Sequence, residues 1–421
     1  MIVSVERSQI SGQVSAPPSK SYTHRAIIIT ALGPGGVVKR PLISADTKAT
    51  ISAVEAIGAG TKLDYDLEIA GVSGRPKTPD DVINVENSGT TLRFMSAVAA
   101  LTKGAVFTGD SSIRRRPNGP LLKALNDLGA QAFSIKGDGR APLVVRGPLL
   151  GGSISMDGGV SSQFLSALLI ASPLASGDTR ITIEGELKSR PYAEITVDML
   201  TEAGARILAD ENEFFVEGGQ SYSLESYTVP GDFSSVSYLL AASAVTGSTV
   251  TVRGAYPSRQ GDMAIVEILQ RMGAKIHWNR EEGVLKIAGG MLKGAVVDAS
   301  QTPDLVPTVA VLGALASGET LIVNAEHVRH KETDRLAAMA RELSKMGADI
   351  KERPDGLLIE GGTLRGADLS GHGDHRIVMA LTVAGLAAGN TSIDTAETVD
   401  VSYPGFFQDM MELNADIRLH Q

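Results

Sequence analysis

No cysteine occurs among the 421 residues, which excludes disulfides, thiolate metal sites and cysteine nucleophiles together. Long apolar runs are also missing. Stretches such as 164–171 and 309–316 fall far short of the roughly 20 residues that a spanning helix needs, and read as buried helices. Residues 1–9 carry Glu6 and Arg7 in an alternating pattern, with no apolar signal region and cleavage site. The expected location is therefore the cytoplasm, with no membrane partner. An excess of positive charge is lacking as well: the net charge of −9 argues against nucleic acid, which requires a basic face. It leaves room for an anionic small molecule, since a local cation cluster can sit in an acidic protein.

What is present is a chain long enough for two cores of about 200 residues each, and a repeat. A small-residue apolar helix ends at a glycine and is followed by a short β-branched strand, six times over. The glycines are Gly33, Gly104, Gly177, Gly247, Gly318 and Gly389, 70 to 73 residues apart. Segments 179–183, 249–252 and 320–323 are examples of the strands that follow. A second marker follows the first five: an amphipathic helix closing on a Gly-Ala pair at Gly58, Gly129, Gly204, Gly273 and Gly347, where glycine suits a helix C-cap. Each unit reads as β-α-β-α-β-β, with the first helix buried, the second exposed, and the sixth unit cut short by the C-terminus. Three units per domain puts a break near 229–232, where a Pro-Gly turn precedes a new helix. A six-unit solenoid would give the same period, but does not explain unusual polar residues concentrated at one point of it.

Such a concentration exists. The first helices start at Ser19, Lys20, Ser21, His24 and Arg25; at Asn87, Ser88, Gly89, Thr90 and Arg93; at Ser161, Ser162 and Gln163; at Asp232 and Ser234; at Asp304; and at Asp374, His375 and Arg376. The second helices start at Arg114, Arg115 and Arg116; at Ser189, Arg190 and Tyr192; at Arg259; and at Lys331, Glu332, Asp334 and Arg335. Helix N-termini carry unpaired N–H groups and partial positive charge, so several of them together attract anions. Arginine forks bind phosphate and carboxylate bidentately. The plain alternatives are a solvated charge for each arginine and N-capping for Asp232 and Ser234. Ser161-Ser162-Gln163 exceeds what a cap requires.

At these residues the chain resembles the 5-enolpyruvylshikimate-3-phosphate synthases, a family of enolpyruvyl transferases, over nearly its whole length. The resemblance rests on Pro18-Ser19-Lys20-Ser21 with His24-Arg25, Asn87-Ser88-Gly89-Thr90 with Arg93, Arg116-Pro117, Ser161-Ser162-Gln163, Ser189-Arg190-Pro191-Tyr192, Pro303-Asp304, Lys331-Glu332-Thr333-Asp334-Arg335 and Asp374-His375-Arg376. It implies an α/β fold of two pseudo-symmetric domains, each an inside-out α/β barrel of three β-α-β-α-β-β repeats, with the active site in the interdomain cleft. One domain would comprise residues 1–18 and 230–421, the other 19–229. Shikimate-3-phosphate would meet Lys20, Ser21, Arg25, Ser161, Ser162, Gln163, Ser189, Tyr192, Asp304 and Lys331. Phosphoenolpyruvate would meet Lys20, Asn87, Gly89, Thr90, Arg116, Gln163, Arg335 and Arg376. Lys20, Asp304, Glu332 and His375 would be catalytic, Asp304 and Glu332 as the proton carriers. The resemblance implies no metal, no cofactor and a monomer.

That chemistry suits the inventory, because two carboxyl groups in different environments can serve as base and acid. The chain departs from the pattern at Val401, where relatives often place a lysine before Ser402-Tyr403-Pro404, and at His327, where asparagine is common. The enolpyruvyl transferase acting on UDP-N-acetylglucosamine is a near alternative, but it usually uses a loop cysteine. His327 with His330, and His372 with His375, have the i, i+3 spacing of a zinc pair without the usual ligand motif. A repeat-built binding scaffold has no need of Lys20, Asp304, Glu332 and Arg376 together.

Overall fold

A computed structural model describes residues 1–159 and 161–420. The chain forms two compact units, one of Met1–Pro17 with Pro230–Gln421 and one of Pro18–Val229, each with its own hydrophobic core. Twelve α-helices run through the described residues: α1 (Lys20–Leu32), α2 (Ala45–Ala56), α3 (Gly89–Ala99), α4 (Gly119–Asp127), α5 (Ser162–Ala171), α6 (Arg190–Glu202), α7 (Phe233–Val245), α8 (Ala264–Arg271), α9 (Val306–Leu315), α10 (Arg335–Lys345), α11 (His375–Ala388) and α12 (Phe406–Glu412). None is long and apolar enough to cross a membrane.

The odd-numbered helices are the first helices of the repeats, and they are buried on nearly every face. In α9 the run Val306 to Ala314 is buried throughout, which suits a helix enclosed by protein rather than one lying on a surface. Within the unit that ends the chain, α7, α9 and α11 pack on one another. The even-numbered helices are amphipathic: α8 buries Ile265, Val266, Ile268 and Leu269 and leaves Glu267 and Arg271 outward.

Each repeat closes a four-stranded sheet, six in all among the described residues. In the second repeat, Ile83–Asn84 leads through α3 to a parallel partner, Ala105–Thr108. After α4 the chain returns as an antiparallel pair, Gln131–Ser134 and Leu143–Arg146. Three repeats borrow a strand from a distant part of the chain. Ser226–Thr228 pairs in parallel with Gly35–Lys39 and completes the first repeat, while Ser11–Ser15 pairs in parallel with Thr249–Arg253 and completes the fourth. Ile2–Val5 lies between Thr391–Ile393 and Ile417–His420 in the sixth.

The expectation that the sixth unit is cut short is therefore wrong. It has both helices and a full sheet, and its second helix closes on Asn414-Ala415, with Asn414 at φ 70°. The corresponding glycines of the other five repeats lie at φ 91° to 103°. Asparagine is the residue other than glycine that best tolerates this left-handed cap, so a search for Gly-Ala passes over it.

Candidate active site

Within the unit 18–229 the helix starts are linked through neutral groups. Lys20, the first residue of α1, meets a carboxylate instead: its Nζ donates to Oδ2 of buried Asp46, in the first turn of α2, at 2.9 Å. Behind this pair, His24 Nδ1 lies 2.7 Å from Thr50 Oγ1, Thr50 lies 2.6 Å from Thr91 Oγ1, and Thr91 lies 2.6 Å from Ser88 Oγ. Ser88 caps α3, so α1, α2 and α3 are tied where Lys20, Asn87, Gly89 and Thr90 stand.

Of three consecutive arginines, Arg114 and Arg115 are exposed and Arg116 is buried. Arg116 Nη2 donates to Ser112 Oγ at 3.2 Å and to Asn87 Oδ1 at 3.5 Å. A Cβ on Gly89 would lie 2.7 Å from Arg116 Nη1, so the glycine makes space for the guanidinium. Arg93 donates to Gln163 Oε1 at 2.5 Å and to Ser161 Oγ at 3.5 Å, and stacks over Phe164. Gln163 Nε2 in turn donates to Thr90 Oγ1 at 3.1 Å. Ser161 caps α5 by accepting the Gln163 N–H, and Ser162 is buried in the first turn.

Arg25 is 2% exposed and donates to Thr196 Oγ1, Ser166 Oγ and the carbonyls of Ser21 and Tyr192 at 2.7 to 3.1 Å. It braces α1, α5 and α6, and burial brings its pKa down to about 10. Ser189 precedes α6 at φ 57°, ψ 34°, and its hydroxyl makes no capping bond. A serine in this left-handed region costs roughly 1–2 kcal/mol, a strain that concentrates at functional positions.

In the other unit the cations meet carboxylates. Arg335, 1% exposed at the start of α10, donates through Nε to Asp374 Oδ2, through Nη1 to Asp304 Oδ1 and through Nη2 to Glu332 Oε2, each at 2.8 Å. Arg376 Nη2 donates to Asp304 Oδ2, also at 2.8 Å, and Lys331 Nζ lies 3.9 Å from Asp304 Oδ1. Burial disfavours charge on Asp304, but Arg376, Lys331 and Arg335 outweigh it and hold the carboxyl far below the usual range. Burial likewise opposes charge on Arg335, and Asp374, Glu332 and Asp304 reverse the effect, raising its pKa. Lys331 is lowered, by burial first and by the two arginines, against the pull of Asp304. His375 is buried at the start of α11, its Nδ1 3.9 Å from Asp374 Oδ1.

A model of the EPSP synthase family (3-phosphoshikimate 1-carboxyvinyltransferase) matches residues 5–410. The chain belongs to the EPSP synthase family. It is 70% identical over 419 residues to the 3-phosphoshikimate 1-carboxyvinyltransferase of Methanothrix thermoacetophila, covering 99% of each chain. It is 58% identical over 426 residues to that of Methanococcoides burtonii, covering both chains completely. An EPSP synthase structure from Acinetobacter baumannii aligns over the whole of both chains with a TM-score of 0.84 and 28% identity. The chain thus shares its fold with that EPSP synthase along its whole length.

The structure also brings in residues that sequence reasoning passed over. Asp46 follows Ser44, which forms a capping box with Thr47, so the segment looks like an ordinary helix start. Asp232 and Ser234 prove to be part of a buried cluster. Asp232 caps α7 and takes a hydrogen bond from Gln260 Nε2 at 2.7 Å, and the Ser234 hydroxyl donates to Asp262. Asp262 is pushed up to about 7 by burial and then by the charge of Asp304, against the pull of Arg376 and Ser234. Val401 ends a short 3₁₀ turn, Ala396–Val401. His327 is buried in another, Glu326–His330.

Proposed function

We propose that the chain carries out its family's reaction, transfer of the enolpyruvyl group of phosphoenolpyruvate to the 5-hydroxyl of shikimate-3-phosphate with release of phosphate, using carboxylates that the incoming substrates release from ion pairs. The observation that carries this reading is the pairing of Asp304 with Arg335, Arg376 and Lys331. A carboxylate so surrounded is a poor base, and arginines so satisfied are poor anion receptors. The carboxylate and phosphate of phosphoenolpyruvate compete for the arginines, so Asp304 loses counter-ions as they turn to the ligand, and its basicity rises. Asp304 then takes the proton of the 5-hydroxyl, whose oxygen bonds to C2 of phosphoenolpyruvate while Glu332 delivers a proton to C3. The tetrahedral adduct collapses when C3 returns that proton and the bond from C2 to the phosphate oxygen breaks. Lys20 and the arginines stabilise the charge of the leaving phosphate, and His375 completes the catalytic set.

From the unit 18–229, Ser21, Arg25, Ser161, Ser162, Gln163, Ser189 and Tyr192 serve shikimate-3-phosphate, while Lys20, Asn87, Gly89, Thr90 and Arg116 serve phosphoenolpyruvate. The Ser189 hydroxyl is not used to cap α6, which supports its phosphate-binding role. On this reading the protein is a cytoplasmic monomer, which sedimentation velocity tests for its second half. The decisive assay incubates the protein with both substrates. Phosphate released in step with an enolpyruvyl product supports the reading, and no phosphate release with both substrates present overturns it.

A further inference from the structure

The histidine that the sequence offered as half of a zinc pair, His372, has another partner. It lies in the loop joining the strand Asp368–Leu369 to α11, two residues before Asp374 and four before Arg376. Its φ is 52°, a left-handed conformation that few non-glycine residues adopt, histidine, asparagine and aspartate more often than others. Its Nε2 is 2.9 Å from Oε1 of Glu342, a carboxylate with no solvent exposure. The other oxygen, Oε2, accepts the Ser370 N–H at 2.9 Å and Lys345 Nζ at 2.6 Å. Glu342 and Arg335 stand seven residues apart, two turns along one face of α10. The loop is therefore pinned to α10 at two points, by Arg335 on Asp374 and by Glu342 on His372 and Ser370.

We infer that Glu342 and His372 are positioning residues: together they clamp the loop 370–374 onto α10 and so set the placement of Asp374, and through it of Arg335 and Arg376, for phosphoenolpyruvate. Neither touches the reacting atoms. The physical case is that the loop contains Gly371 and Gly373 and turns through a left-handed non-glycine residue, a shape it does not hold by local preference. Asp394, which accepts from Gly371 N–H at 2.7 Å and Ser370 Oγ at 3.0 Å, anchors only the opposite side and is exposed. On the α10 side, Ser370 and His372 depend on Glu342, and Asp374 on Arg335.

The inference rests on the assignment of Arg376 to phosphoenolpyruvate, so the test includes His372→Asn, Glu342→Gln, their combination and Arg376→Lys. Asparagine fits the left-handed backbone but does not reach Glu342. The expected result for His372→Asn is a KM for phosphoenolpyruvate raised on the order of tenfold, with the KM for shikimate-3-phosphate and kcat within about threefold of the parent, the pattern of a lost binding geometry. The double variant should be no worse than the poorer single one, as for two halves of one contact. Hydrogen exchange of amides 370–376 should speed up in His372→Asn whatever the ligand assignment. Unchanged exchange there, or equal rises in both KM values, overturns the clamp. If Arg376→Lys leaves the phosphoenolpyruvate KM unchanged, the substrate assignment fails and with it the substrate half of this inference, while the exchange result still decides whether the clamp exists.

Discussion

The two units repeat one supersecondary plan, and both put their cations at helix starts, yet they neutralise those cations differently. In 18–229, Arg25, Arg93 and Arg116 donate to hydroxyls, amides and carbonyls, while Lys20 meets a carboxylate. In the other unit Arg335 and Arg376 are ion-paired, with Asp304 shared between them and Lys331 close by. Neutral acceptors orient a guanidinium without cancelling its charge, which suits holding phosphate. Carboxylates cancel the charge until a ligand competes, and they bring groups able to move protons. On the proposed reading both copies of the architecture hold anions, and the proton carriers lie in only one of them.

The sharpest way to break this division is to remove the proton carriers. Asp304→Asn and Glu332→Gln keep size and hydrogen bonding, so each should bind substrates while kcat falls about 10²- to 10⁴-fold. Wild-type kcat in both, measured by steady-state phosphate release, would return the carboxylates to a purely structural role.

Stability should differ between the units nearly as much. Arg335→Met removes the guanidinium that Asp374, Glu332 and Asp304 share and should cost about 3–5 kcal/mol, whereas Arg25→Met leaves only neutral acceptors and should cost about 1–3 kcal/mol. The two also separate with pH. Asp304 has a depressed folded-state pKa, so its pairing stabilises the fold above the unfolded carboxyl value near 4 and is lost as pH falls through the folded one. The Arg335→Met deficit should shrink as pH is lowered below about 5, and the Arg25→Met deficit should stay flat. Urea melts at several pH values check both.

Asp262 sharpens the picture from the opposite sign. Its folded pKa is raised, to about 7, so between about 4 and 7 the folded state holds a proton that the unfolded state has lost, and stability falls with rising pH. Asp262→Asn should therefore gain on the parent as pH rises from 5 to 8, by on the order of 3 kcal/mol, and stay level above 8. Parallel melting curves at all pH values would refute a titrating Asp262.

The smallest expected effect is at Val401. If the usual lysine is missing without replacement, Val401→Lys should tighten phosphoenolpyruvate by about 1–3 kcal/mol at fixed salt. A neighbouring cation already in that space would instead give no gain, or a loss through like-charge repulsion.

Much of this was legible in advance because its signals are local. A helix C-cap demands a left-handed residue whatever surrounds it, so the markers at Gly58 through Gly347 disclose the period, and only the Asn414 variant slips past. Lys20, Asp304, Arg335 and Arg376 were legible because charged groups recur at one phase of that period. Which of them pair was not, nor were Asp46, which looks like part of an ordinary helix start, and Glu342, which looks like an exposed member of an amphipathic helix until its 0% exposure is seen.

By itself, then, the sequence determined the repeat and the helix starts that carry cations, since each depends on residues within a turn or two of one another. Tertiary structure alone decided which strand completes each sheet, because Ile2–Val5, Ser11–Ser15 and Ser226–Thr228 pair with segments nearly 200 residues or more away. It also decided which acceptor each arginine meets. A buried guanidinium takes whatever oxygen the packing brings within about 3 Å, and no spacing along the chain encodes whether that oxygen belongs to a serine or to an aspartate.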